Sequence, residues 1–350
     1  MTKNTYCILL YHKYPFVNRF ALIIALVLAC SLARGQDPQF TQFYANPLYL
    51  APSFAGATAG DRITAVYRNQ WPELNNVFVS YSFAYDHFFE NFNSGVGVLI
   101  LRDVAGSGDL GILNAGVLYS YDIMVNKVFH LRPGIHFNYT QMGLDWSKLT
   151  WNDQLSTGGT GGGTIEQPPT DSYKPDVDFA ASLIGYSDRA WGGFTVDHML
   201  RPNYGLYNNE APLPMKFTIF GGYQIVKKGR LTNPIDETLS LAAYYQHQDV
   251  FNQVVIGLYW LKAPLMLGFW YRGIPFWKGS DDEYQKDPRG DAIAFLIGYK
   301  MDQLRVGYSY DFTISNLVSS TGGAHEVSLT YEFKTTRKRE KPRMIPCPEF

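Results

Sequence analysis

The sequence predicts an all-β protein, a transmembrane antiparallel β-barrel of about 14 strands, with 12 to 16 left open. Three observations carry that expectation. The first is alternation. From His130 to Thr140 the odd positions (Leu131, Ile135, Phe137, Tyr139) are apolar or aromatic apart from Pro133, and the even ones are polar or Gly. Successive strand side chains point to opposite faces, so such a segment has one greasy and one wet face. The second is length. Most alternating segments run to about ten residues, the number a tilted strand needs to cross a bilayer. The third is loop asymmetry, with long connections after one set of strands and tiny turns after the other.

Residues 1–35 read as a signal peptide. Lys3, Lys13 and Arg19 form a basic start, Phe20–Leu32 an apolar stretch, and Ala33-Arg34-Gly35 a small-residue cleavage site before Gln36. The apolar stretch is too short for a membrane-spanning helix of about 20 residues. Val27-Leu28-Ala29-Cys30 loosely matches a lipid-attachment signal, but Leu28 fits that pattern poorly. Residues 36–61 are rich in Pro, Asn and aromatics and do not alternate. They are read as a periplasmic arm or a segment tucked into the lumen.

Residues 62–333 form the barrel, with strands expected over Arg62–Asn69, Asn76–His87, Ser94–Asp103, Asp109–Asp122, Lys127–Met142, Asp176–Ser187 and Ala190–His198. The second half continues with Met215–Val226, Thr238–Gln248, Asn252–Leu261, Pro264–Arg272, Ala292–Lys300, Gln303–Phe312 and Ala324–Phe333. Val79, Tyr81, Phe83 and Tyr85 share one face against Ser80, Ser82 and Asp86; Leu304, Val306, Tyr308 and Tyr310 oppose Arg305, Ser309 and Asp311. A soluble β-sandwich also alternates. Aromatics near strand ends, such as Tyr119/Tyr121, Tyr308/Tyr310 and Trp270/Tyr271, favour the interfacial girdle of a membrane barrel instead.

The connections 143–175, 199–214, 273–291 and 313–323 follow odd strands, which puts both termini on the periplasmic side. The link over 227–237 and the tight turn after Gln248 break the rule. Residues 334–350 are a basic tail with six Lys/Arg from Lys334 to Arg343, read either as a solvated run or as a docking tail for an acidic partner. Beyond the signal only Cys347 remains, so no disulfide forms within the mature chain.

Net charge of −1 and the lack of a basic motif with interleaved aromatics argue against nucleic acid as partner. No nucleophile elbow, HExxH, CxxC or phosphate-binding glycine loop is present, so the chain is read as a non-enzyme with no cofactor and no metal site. The glycine-rich stretch at 158–163 reads as a flexible loop. His130 and His136 lie about 20 Å apart along one strand, too far to share a metal. They are assigned to polar lumen lining. Arg62, Arg68, Arg102, Arg132, Arg272 and Arg305 either line a channel or form salt bridges within the lumen.

Several motifs resemble one known family. They are Gln36-Asp37-Pro38-Gln39-Phe40-Thr41-Gln42-Phe43, Asn46-Pro47-Leu48-Tyr49, Ala51-Pro52-Ser53-Phe54-Ala55-Gly56 and Tyr67-Arg68-Asn69-Gln70-Trp71-Pro72. Asp103-Val104-Ala105-Gly106, Tyr119-Ser120-Tyr121-Asp122, Tyr308-Ser309-Tyr310-Asp311, Gly322-Gly323-Ala324-His325-Glu326 and the terminal Cys347-Pro348-Glu349-Phe350 continue the match. The chain resembles the PorP/SprF family over nearly all its mature length. The resemblance implies an outer-membrane accessory of the type IX secretion system. Such an accessory supports secretion or surface anchoring of an adhesin, in some members one used in gliding, or of other cargo with a C-terminal sorting domain. Implied partners are outer-membrane lipids, that cargo, and periplasmic or outer-membrane secretion components. The motif residues Asn46, Pro47, Arg68, Asn69, Gln70, Trp71, His325, Glu326, Cys347, Pro348 and Phe350 become candidates for partner binding. A channel for small or apolar solutes is the alternative.

Overall fold

The computed structural model describes residues 37–58, 60–74, 78–151, 154, 164, 166, 173–206, 210–230, 233–273, 290–314 and 322–333. The expected signal peptide, the glycine-rich stretch at 158–163 and the basic tail with Cys347, Pro348 and Phe350 lie outside the described residues.

Fourteen antiparallel strands close into one barrel. They are β1 (Arg62–Gln70), β2 (Phe78–Phe89), β3 (Ser94–Ala105), β4 (Leu110–Tyr121, prolonged by Ile123–Met124), β5 (His130–Gly143), β6 (Tyr173–Tyr186) and β7 (Ala190–Asp197). The ring continues with β8 (Lys216–Arg230), β9 (Asn233–Gln248), β10 (Phe251–Lys262), β11 (Leu265–Gly273), β12 (Gly290–Met301), β13 (Leu304–Thr313) and β14 (Ala324–Glu332). Each strand pairs with its chain neighbours. The ring shuts where β14 meets β1, with Val327 opposite Tyr67 and Glu326 opposite Arg68. Closure removes both sheet edges, so every strand finds backbone partners inside the ring, as a bilayer demands. No helix among the described residues is long and apolar enough to cross a membrane; the crossing is made by strands.

The alternation sets which side chains face lipid. On β2, Tyr81, Phe83 and Tyr85 are exposed while Ser80, Ser82 and Asp86 are buried toward the lumen. On β13, Arg305, Ser309 and Asp311 point inward and Tyr308 outward. Trp270 departs from the expected girdle. It is 1% exposed and faces the lumen, because its register on β11 puts it on the inner face, where Phe43, Tyr44 and Tyr259 receive it.

β8 and β9 run further than the periodicity predicts, to Arg230 and from Asn233. The apparent long connection over 227–237 is therefore mostly strand, with a register shift between Asn233 and Glu237. Bulges of this kind break strict alternation, which hides such a segment in the sequence. The other exception stands: β9 and β10 are joined by the tight turn Asp249-Val250 on the rim that carries the long connections.

Candidate functional site

The lumen is filled by the chain's own N-terminal segment. Residues 40–57 fold as three short turns, Phe43–Ala45, Pro47–Leu50 and Pro52–Phe54. Pro47 and Pro52 each open a turn, where the missing N–H costs nothing and the fixed φ helps. Leu48, Ala51, Phe54 and Ala55 are almost fully buried. Phe43 packs edge-on against Tyr244 and Trp270, Tyr44 against Tyr259, and Phe54 against Trp191. Removing a side chain such as Phe43, Leu48 or Phe54 from water is worth roughly 1.5–3 kcal/mol each. Two glycines of the wall let this backbone approach. A Cβ on Gly95 would stand 1.9 Å from the Ala55 carbonyl oxygen, and one on Gly134 would stand 2.3 Å from the Ser53 nitrogen.

Polar contacts clamp the plug at both ends. At the rim of the long connections, Glu326 accepts hydrogen bonds from the backbone N–H groups of Thr41 and Gln42, both at 2.8 Å. Arg68 donates to Glu326 at 3.0 Å and to Asp311 at 2.9 Å, and Arg272 donates to Asp311 at 2.7 Å. The Thr41 hydroxyl sits among them, donating to Asp311 at 2.6 Å and accepting from Arg68 and Arg272. Gln42 completes the grip through Ser309 and Ser328. Two guanidinium groups thus balance two carboxylates, so the buried cluster is charge-neutral. Such a network is tolerable out of water only when every member is paired.

At the opposite rim, Asp86 takes two hydrogen bonds from Arg62, at 2.8 and 3.0 Å, and one from the Gly56 N–H at 2.7 Å. Arg132 donates to the Gly56 carbonyl and to Ser120, whose hydroxyl donates to the Ala55 carbonyl. Between the clamps, Asn46 donates to Ser82, the Ser53 N–H donates to Ser182, and Thr195 donates to the Leu50 carbonyl. The segment touches the wall on nearly every side.

The direction of the plug follows from these partners. Gln39 meets Gln253 at the start of β10, and Pro38 lines a cleft with Asp197 and Lys216, at the ends of β7 and β8 beside a long connection. Phe333 lies at the other rim, where its N–H donates to the Asp61 carbonyl. The two ends of the described chain are therefore at opposite rims. The segment after Pro38 runs the length of the lumen, from the rim of long connections to the rim of short turns.

The candidate residues divide by face. Asn46, Pro47, Arg68 and Glu326 are all buried, the first two within the plug and the last two in its clamp. Gln70 accepts from Arg68 at 3.3 Å. Arg68 and Glu326 hold the protein's own N-terminal segment at Thr41 and Gln42. Asn69 and His325 are cross-strand neighbours on the outer face, where His325 shares a hydrogen bond with Tyr308. Trp71 adopts a φ of 59°, donates its N–H to the Gly323 carbonyl and packs edge-on against Phe78.

Of the six arginines, Arg62, Arg68, Arg132, Arg272 and Arg305 point inward, and Arg305 pairs with Glu332 at 2.8 Å. Arg102 is the exception. Leu101 takes the inner position, so Arg102 faces out. His130 stacks on Tyr186 and faces Asp122 within the lumen wall. Among the described residues no group of His, Cys, Asp and Glu is arranged to hold a metal ion.

Sequence motifs on both faces of the β14–β1 seam therefore meet in space, and their family can be read from the whole chain. Residues 32–331 match the family described as type IX secretion system membrane protein PorP/SprF. The chain belongs to the PorP/SprF family. No curated protein matches its sequence. Among solved structures this PorP/SprF barrel is similar to Omp33 of Acinetobacter baumannii, with 8% identity, TM-score 0.41, and 78% of this chain and 98% of that one covered. It is also similar to the toluene transporters TbuX of Ralstonia pickettii (10% identity, TM-score 0.47, 82% and 93% covered) and TodX of P. putida (11%, 0.46, 81% and 93%). Family and fold together make it an outer-membrane component of type IX secretion.

Proposed function

We propose that this PorP/SprF barrel is a non-enzymatic accessory that supports secretion or surface anchoring of a partner adhesin, or of other cargo bearing a C-terminal sorting domain. The strands fix the protein in lipid, the rim of long connections faces the cell exterior and receives exported cargo, and the opposite rim faces the periplasm and the secretion machinery. Residues 1–35 act as the signal peptide that delivers the chain, and residues 334–350 form a basic tail on the periplasmic side. The observation that carries the reading is the family match over residues 32–331.

The filled lumen favours this reading over a solute channel. Residues 40–57 occupy the inner space and are clamped by two sets of charged groups, so the barrel serves better as a platform than as a pore. The test is deletion of the protein followed by quantitative mass spectrometry of the cell surface. Loss of one or more sorting-domain cargoes from the surface, restored by the wild-type chain, is the expected result. Unchanged display of every such cargo overturns the proposal.

A further inference from the structure

The outer face of the barrel around the β14–β1 seam carries a built depression. The strand registers arrange its outward side chains in rows. One row, nearer the rim of long connections, runs Tyr308, Val327, Tyr67, Tyr81, Arg102 from β13 to β3. The row below it runs Val306, Leu329, Ala65, Phe83, Ile100. Ala65 is the small member of that second row, flanked by Leu329 and Phe83. The missing bulk leaves a hollow of about 380 Å³ lined by Ala65, Tyr67, Tyr81, Phe83 and Leu329, with Arg102 at its edge. Tyr67 and Tyr81 lean on one another with ring centres 5.2 Å apart.

The two halves of this hollow ask for different chemistry. Its floor is apolar and faces hydrocarbon, which suits an acyl chain. Its upper margin holds two phenols and a guanidinium at the level of the aromatic girdle, where lipid headgroups lie. Arg102 is exposed on this lipid-facing wall, with Leu101 taking the lumen side. A guanidinium on a lipid-facing wall needs an anion, and its planar fork matches phosphate with two parallel hydrogen bonds. Snorkelling into headgroup water would satisfy the charge but would leave the gap at Ala65 without a purpose.

We propose that this hollow is a binding site for a phosphate-headed membrane lipid, with the phosphate on Arg102 and one acyl chain seated over Ala65. The site lies on the wall that also carries Asn69 and His325, so a bound lipid would form part of the surface that the outward half of the family motifs presents. This inference stands on the barrel geometry and does not depend on what the protein carries.

The experiment is a titration of the purified protein in detergent with dioleoyl phosphatidylglycerol, read by native mass spectrometry. A retained lipid adduct is expected. Arg102→Leu and Ala65→Phe, the second filling the hollow, should each weaken retention about tenfold, while Ile297→Phe on a different part of the outer wall leaves it unchanged. Dioleoylglycerol, with the same chains and no phosphate, should be retained at least tenfold more weakly, a comparison that uses the wild-type chain alone and so survives a variant that fails to fold. Inorganic phosphate at millimolar concentration should not displace the lipid. Equal retention by wild type and both variants, equal retention of the two lipids, or displacement by inorganic phosphate overturns the proposal.

Discussion

Glu326 stands directly opposite Arg68 across the seam that closes the barrel, and its two carboxylate oxygens also receive the backbone N–H groups of Thr41 and Gln42. One carboxylate thus joins the first strand, the last strand and the plug. Closure of the ring and seating of the N-terminal segment are held by the same buried group.

Breaking that group should be costly. Glu326→Ala leaves Arg68 facing Asp311 with one partner gone and frees two backbone donors, and losing one side of a buried ion pair typically costs about 3–5 kcal/mol. The expected outcome is a lower urea midpoint for unfolding of the purified barrel in detergent. Limited proteolysis should also begin within residues 37–57, which the wild type protects.

The glycine at 134 makes a sharper cut between barrel and plug. Gly134→Val introduces a residue of high β-propensity but drives its side chain into the backbone at Ser53. The strands should still form, as judged by circular dichroism and heat-modifiable migration. The N-terminal segment should become protease-sensitive, since it cannot seat past an added side chain.

Plug removal should change the electrical behaviour. Wild-type protein in planar bilayers is expected to be silent. A variant lacking residues 40–57, if it inserts, should conduct through the polar inner face lined by Ser82, Arg62, Asp86 and Arg132. Equal conductance of the two would show that the segment does not occlude the lumen.

At the rim opposite the long connections, Asp61 accepts a hydrogen bond from the Tyr85 hydroxyl at 2.5 Å and meets the His87 ring at 2.9 Å. The Tyr85 hydrogen bond, and then His87, hold the Asp61 carboxyl below the ordinary value of 3.8. A depressed carboxylate contributes stability that is present above its unfolded value and lost as pH falls through the folded one. The Asp61→Asn variant should therefore be less stable than wild type at neutral pH, and the gap should narrow as pH falls below the ordinary value of 3.8. Melting temperatures of both proteins across that range provide the check.

Much of the barrel is legible in the chain because a lipid-facing wall enforces the period of two. β5 is the clearest case: its inward His130, Arg132 and Asn138 and its outward Ile135, Phe137 and Tyr139 follow the written alternation. Where another constraint acts, the pattern misleads. Trp270 looks like a girdle residue because aromatics near strand ends usually meet the interface. It points inward because the plug supplies Phe43 and Tyr44 to receive it. The outward turn of Arg102 was hidden for a related reason, since charge alone suggests a lumen position and only the register with Tyr81 shows otherwise.

The plug itself leaves a weaker trace. Residues 36–61 lack alternation, and their Pro, Asn and aromatic content fits either an arm or a lumen segment. What separates the two is pairing at long range: Thr41 and Gln42 with Glu326, and Gly56 with Asp86. No local pattern reports such contacts. Of the motif residues, Arg68 and Glu326 form the clamp of this internal contact.

The plugged barrel is proposed to serve as a platform for exported cargo. Affinity purification of the tagged protein from native outer membranes in mild detergent, with mass spectrometry of what accompanies it, tests this most directly. Recovery of a sorting-domain adhesin or of type IX secretion components is the predicted result. A barrel recovered alone, conducting ions with its N-terminal segment intact, would contradict the account and favour a channel.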